Sequence, residues 1–174
     1  MGKPKYYPVR DKKMLKAVLE EALKNPWLNG AVDMEEGDPF GAIEHRVDES
    51  KLSKARSLDA LVYGILYYTA VGSGFIYKNL AFISQDPYGE WAVFVYDKET
   101  NKAMQIDSIT TGGYGGMDKK EIKAYVKRLL KVMPALIEGV RNNDGMWRVW
   151  DRVKAYEECD DPLCKPTGNY EVMY

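Results

Sequence analysis

Residues 75–109 read FIYKNLAFISQDPYGEWAVFVYDKETNKAMQIDSI, and this stretch decides the fold class. Three runs, 75–84, 90–97 and 102–109, are rich in aromatic and β-branched residues and are separated by QDPYG and KETN. Such side chains suit a pleated surface, while Pro, Gly, Asn and Asp supply the turns between strands. Short turns between successive strands predict an antiparallel meander. WAVFVY shows little polar alternation, which predicts a central strand covered on both faces.

On either side of these strands the sequence is helical. In SLDALVYGILYYTAV (57–71), Leu58, Leu61, Val62, Ile65 and Leu66 form one apolar face, Ser57 can cap the start, and GSG at 72–74 stops it. In DKKMLKAVLEEALKNPW (11–27), Met14, Leu15, Val18, Leu19, Ala22 and Leu23 form a stripe, with Asp11 as cap and Pro26 as terminator. A long helix is predicted over 118–141, buried through Ile122, Val126, Leu129, Leu130, Met133 and Leu136, and kinked at Pro134. The expected fold is a single α+β domain over 1–174. It is an antiparallel meander of three to four strands packed against two main helices, 57–71 and 118–141, on one face, with the first helix at an edge. Residues 25–57 read mostly as loop, with a turn or two of helix near 50–56. The segment 146–174 is ambiguous, but 146–156 favours a helix, because a strand would put Asp151 on the apolar side.

Charge and composition exclude extremes. Hydrophobic residues make up 45% and charged residues 29%, with a formal net charge of -1. No global field attracts nucleic acid or an anionic membrane. Tyrosine is frequent, at 13 copies against 4 Phe and 4 Trp, and its amphipathic ring suits half-buried surfaces and interfaces. The opening MGKPKYYPVR lacks the apolar core of a signal peptide, and Tyr6 stands where a myristoylation pattern wants Ser or Thr. The apolar stretch 58–71 is too short for the ~20 residues that span a bilayer. With only Cys159 and Cys164, a reduced cytoplasmic setting is expected.

TTGGYGGMDKK (110–120) raises the sharpest functional question: phosphate cradle or joint? Glycines before a helix let backbone N–H groups approach an anion. However, neither G-x-x-x-x-G-K-[ST] nor G-x-G-x-x-G is matched. Asp118 sits at the helix cap with Glu121 three residues on, a capping-box spacing flanked by Met117 and Ile122 as a staple. A carboxylate already occupies the anion's place, so the loop reads as a joint presenting Tyr114.

Other constellations are weaker. Lys119, Lys123, Lys127 and Lys131 make a basic ribbon that could track phosphates, extended by Arg148 and Arg152. A solvated helix face explains it more simply, given the absence of net positive charge. CDDPLC (159–164) offers too few ligands for zinc and reads as two free thiols. VGSGF lacks the glycine two before Ser73 that a nucleophile elbow requires. His45 is the only histidine and thus the only imidazole for acid–base work. Asp33, Glu35, Glu36 and Asp38 lack the spacing of a calcium loop. No catalytic set, metal site or cofactor is expected.

The expected function is therefore that of a non-catalytic binding protein, a small accessory, adaptor or inhibitor acting through a macromolecular partner, foremost a protein. Tyr114, Lys119, Lys123, Lys127, Lys131, Arg148 and Arg152 are the candidate contacts. One alternative is a nucleic-acid binder using 119–131 and 148–156. Another is a small enzyme centred on His45 or the carboxylates of the 33–49 loop.

Overall fold

The structure, a computed structural model, describes residues 5–30, 47–68, 70–112 and 115–159. Its middle layer is a six-stranded sheet in the order β1 (Tyr6–Pro8), β2 (Leu52–Ala55), β3 (Gly74–Tyr77), β4 (Leu80–Ser84), β5 (Glu90–Asp97) and β6 (Lys102–Thr110). Neighbours are antiparallel except β2 and β3, which run parallel with Leu52 beside Gly74. A parallel pair cannot be joined by a hairpin, and helix α2 (Leu58–Tyr67) makes the crossover.

Side-chain alternation along the strands builds two cores. In β5, Trp91, Val93 and Val95 join the core of α2, α3 (Lys119–Lys131), α4 (Met133–Arg141) and α5 (Gly145–Glu158). Ala92, Phe94 and Tyr96 join the opposite core with Met14, Leu15 and Val18 of α1 (Lys12–Ala22). Every residue from Trp91 to Asp97 is buried. Each large apolar side chain so buried contributes about 1.5–3 kcal/mol. Asp11 and Ser57 cap α1 and α2 by accepting from Met14 N at 3.0 Å and Ala60 N at 3.1 Å.

The expected three- to four-stranded meander on two helices is corrected. The meander exists as β3–β6 within a larger, mixed sheet, and five helices cover both faces. Helix α1 covers a face, packing on β5 and β6, and does not sit at an edge. The single strand read over 75–84 is a hairpin, since Tyr77 pairs with Leu80 around Lys78 and Asn79. Lys78 takes φ +56° there, a conformation that normally calls for glycine. Within 25–57, β2 replaces the helical turn expected at 50–56, after one 3-10 turn at Glu49–Lys51. The long helix 118–141 is two helices broken at Val132, with Pro134 in the first turn of α4, where its missing N–H costs nothing.

Strand β6 carries one irregularity. Phe94 pairs with Gln105, but Val93 pairs with Asp107, so Ile106 is the extra residue of a β-bulge. Its carbonyl accepts from Trp150 Nε1 of α5 at 2.6 Å. Asp107 Oδ2 accepts the Tyr125 hydroxyl of α3 at 2.7 Å. Burial, followed by the Asp107 charge and this hydrogen bond, drives the Tyr125 phenol far above its ordinary pKa. These ties anchor the bulged segment of β6, the outermost strand of the sheet, to α5 and α3.

Candidate functional site

Helix α3 begins as its sequence predicts. Asp118 accepts from Glu121 N at 2.8 Å, and Glu121 Oε1 accepts from Asp118 N at 3.3 Å, completing the capping box. Met117 N donates to Thr110 O at 2.8 Å, which closes the glycine loop at its base. Gly116 is required there, because a Cβ would lie 2.0 Å from the carbonyl oxygen of Gly112. The anion position is filled by the protein's own carboxylate. Gly113 and Tyr114 lie outside the described residues.

A groove of about 660 Å³ runs beside this start of α3, between it and α2. Its walls include Lys5, Asp59, Tyr63, Tyr67, Lys119 and Lys123. Tyr63 and Tyr67 stand four residues apart on the side of α2 turned away from Leu61 and Ile65, so they face solvent. Their rings lie 4.7 Å apart, and Lys5 Nζ sits 4.0 Å over the Tyr63 ring, a cation–π arrangement. Tyr68 bridges inward, 6.1 Å from Tyr63 and 6.0 Å from Tyr6. Tyr6 is anchored by its hydroxyl, which donates to Ala60 O at 2.8 Å. Burial, then Tyr68 and Tyr63, raise its phenol pKa. The outermost ring, Tyr67, remains 67% exposed.

Lys123 Nζ donates to Asp59 Oδ1 at 2.9 Å across the groove. This hydrogen bond and the ammonium charge draw the Asp59 carboxyl below the ordinary carboxylate range. Of the sequence-predicted contacts, Lys119 and Lys123 come together here. Lys127, Lys131 and Arg148 are exposed but do not line the groove. Arg152 is engaged internally, its Nε 2.6 Å from Asp144 Oδ2 and its Nη1 3.1 Å from Glu138 Oε1. The preference for a helix over a strand in 146–156 agrees with α5, which buries Val149 and Val153.

Lys5, Tyr63, Tyr67 and Tyr68 were not legible as a site. The signal was present in VYGILYY, where Tyr63 and Tyr67 fall outside the apolar stripe and share a second face. His45 and the acidic run 33–38 lie outside the described residues. Among the described residues, no group of three or more His, Cys, Asp or Glu is placed to hold a metal. Cys159 is disulfide-bonded, which corrects the expectation of two free thiols and removes the thiol argument for a reducing compartment. Cys164 lies outside the described residues. No described helix is long and apolar enough to cross a membrane. Compared with known proteins, the chain matches no family model, no curated protein and no solved structure.

Proposed function

We propose that this chain is a non-catalytic binding protein whose α2–α3 groove takes an acidic segment of a partner protein. The observation that carries this reading is the row of exposed tyrosines beside Lys5 and Lys119. Tyrosine anchors are enriched at protein interfaces, where a rigid ring supplies contact area at little entropic cost. Tyr63 is already held between Lys5 and Tyr67, so little ordering remains for binding. With Lys123 set against Asp59, Lys5 and Lys119 leave the described walls net positive, which favours a ligand carrying carboxylates. Tyrosine rings beside lysines would also suit stacked bases. The chain's net charge of -1 supplies no global field for a polyanionic strand, which argues for the protein.

The test places a photo-crosslinking residue at Tyr67 and exposes the protein to extract of its native host, with and without nuclease. A specific protein adduct that survives nuclease is expected. Its purified partner should bind the Tyr63→Ala/Tyr67→Ala variant at least about tenfold more weakly, a loss of roughly 1.4 kcal/mol or more. Adducts to nucleic acid, or a partner that binds the double variant undiminished, would overturn the proposal.

A further inference from the structure

On the opposite face of the sheet, past the C-terminal end of α1, polar side chains replace the apolar core. Gln105 pairs with Phe94 and Ser108 with Ala92, and both of those β5 residues belong to the α1-side core. Residues three apart on a regular strand would face opposite ways. The bulge at Ile106 adds the residue that returns Gln105 and Ser108 to one side, a re-aiming for which bulges are suited. Asn25, just beyond α1, donates through Nδ2 to Gln85 Oε1 at 2.6 Å and to Gln105 Oε1 at 3.1 Å. Gln85 Nε2 donates to Ser108 Oγ at 2.9 Å, and Ser108 donates to Glu90 Oε1 at 3.1 Å.

This network floors an open cleft of about 530 Å³, a volume suited to a small ligand. Trp27 and Met146 form apolar walls, and Trp27 is 53% exposed. Asn25 Oδ1 accepts from Trp27 N at 2.9 Å, so one side chain fixes both floor and wall. A purely structural amide network would explain the floor. It does not involve the half-exposed indole beside it, which presents a flat apolar face to the same cleft.

The lining chemistry selects the ligand class. Glu21 is paired with Lys24 at 2.6 Å, which among the described residues leaves Glu90 as a single carboxylate, too few oxygens for a hard cation. Among the described residues, no unpaired cation lines the floor to receive an anion. Gln85 Nε2 donates to Ser108 Oγ and Gln105 Nε2 to the Asp107 carbonyl, one of the two N–H donors each carboxamide carries, and both residues line the cleft. Carboxamides and a carboxylate answer hydroxyls, which both donate and accept, while an indole face answers a flat apolar surface. We propose that this cleft binds a neutral, hydroxyl-rich ring of the saccharide class, stacked on Trp27 and hydrogen-bonded to Gln85, Gln105 and Glu90.

The test is a nuclear magnetic resonance titration of the isotope-labelled full chain. The probes are glucose, N-acetylglucosamine, maltose and cellobiose, with triglycine as a control. The carboxamide signals of Gln85 and Gln105 and the Trp27 indole N–H should shift together with at least one saccharide at millimolar concentration. Trp27→Ala, at an exposed position that does not threaten folding, should weaken binding about tenfold, and Trp27→Phe should largely preserve it. Three outcomes would each overturn the proposal. They are silence across the saccharides, shifts indifferent to Trp27→Ala, and a response to triglycine alone, which would assign the cleft to peptide backbone.

Discussion

Arg141 grips the fully buried carboxylate of Asp97 with two hydrogen bonds, Nε to Oδ2 at 2.7 Å and Nη2 to Oδ1 at 3.2 Å. Thr100 Oγ1 adds a third to Oδ2 at 2.6 Å. The end of α4 is thereby tied to the end of β5. Burial opposes the Asp97 charge, but the hydrogen bonds from Arg141 and Thr100 and the guanidinium charge hold its pKa below the ordinary value. Because the folded value is depressed, the stabilisation is present above the unfolded pKa of about 3.9 and is lost as pH falls through the folded one. Arg141→Met leaves the carboxylate buried without its counter-charge, which should cost about 3–5 kcal/mol at neutral pH. In that variant the hydrogen bonds from Thr100 and Glu99 N remain, but the Arg141 hydrogen bond and charge that offset burial are gone, so the Asp97 pKa rises relative to the unaltered protein and the deficit should shrink on acidification. Urea unfolding across a pH series measures this, and a deficit independent of pH would contradict it.

The β3–β4 hairpin offers a stabilising change. Lys78 holds φ +56°, a left-handed conformation that costs a non-glycine residue about 1–2 kcal/mol. Glycine's greater freedom in the unfolded chain returns part of that gain. Lys78→Gly should therefore raise stability by up to about 1 kcal/mol, and Lys78→Val should lower it. Calorimetry on the two variants decides, and a lower melting temperature for the glycine variant would refute the strain.

Removal of the α3 cap should be modest and specific. Asp118→Ala should cost about 1 kcal/mol and Asp118→Asn much less, since asparagine caps nearly as well. Inorganic phosphate should leave the melting temperature of the unaltered protein unchanged. A clear upward shift with phosphate would restore the cradle reading of the glycine loop.

Trp150 ties down the bulge of β6, the outermost strand of the sheet. Trp150→Phe keeps the ring packing but leaves the Ile106 carbonyl without its indole donor, at a cost of about 1–3 kcal/mol. An opened edge is a template for pairing with a second copy. The variant should show concentration-dependent association by light scattering, and a strictly monomeric variant would assign edge protection to the bulge alone.

Local signals in the sequence were reliable. Asp11, Ser57 and the Asp118–Glu121 pair each cap the helix their spacing predicts, because a cap is settled within four residues. Features that depend on distant partners were hidden. Strands β1 and β2 hold only three and four residues and exist through pairing with each other and with β3. The hairpin turn at 78–79 was missed because a lysine stands where glycine would announce it. In the amide cleft, Asn25 meets partners 60 and 80 residues away, and no periodicity connects such positions. The groove tyrosines lie inside a helix whose dominant periodic signal is its apolar stripe.

The solitary parallel pairing also divides the sheet in time. From β3 to β6 every neighbour is reached through a short turn, whereas β2 must wait for the α2 crossover and Tyr6 must travel to Ala55. Nearby pairings close faster than remote ones. Pulse-labelled hydrogen exchange during refolding should thus find amides of Leu80–Ser84 and Glu90–Asp97 protected before those of Leu52–Ala55, so that the chain is born from its middle outward.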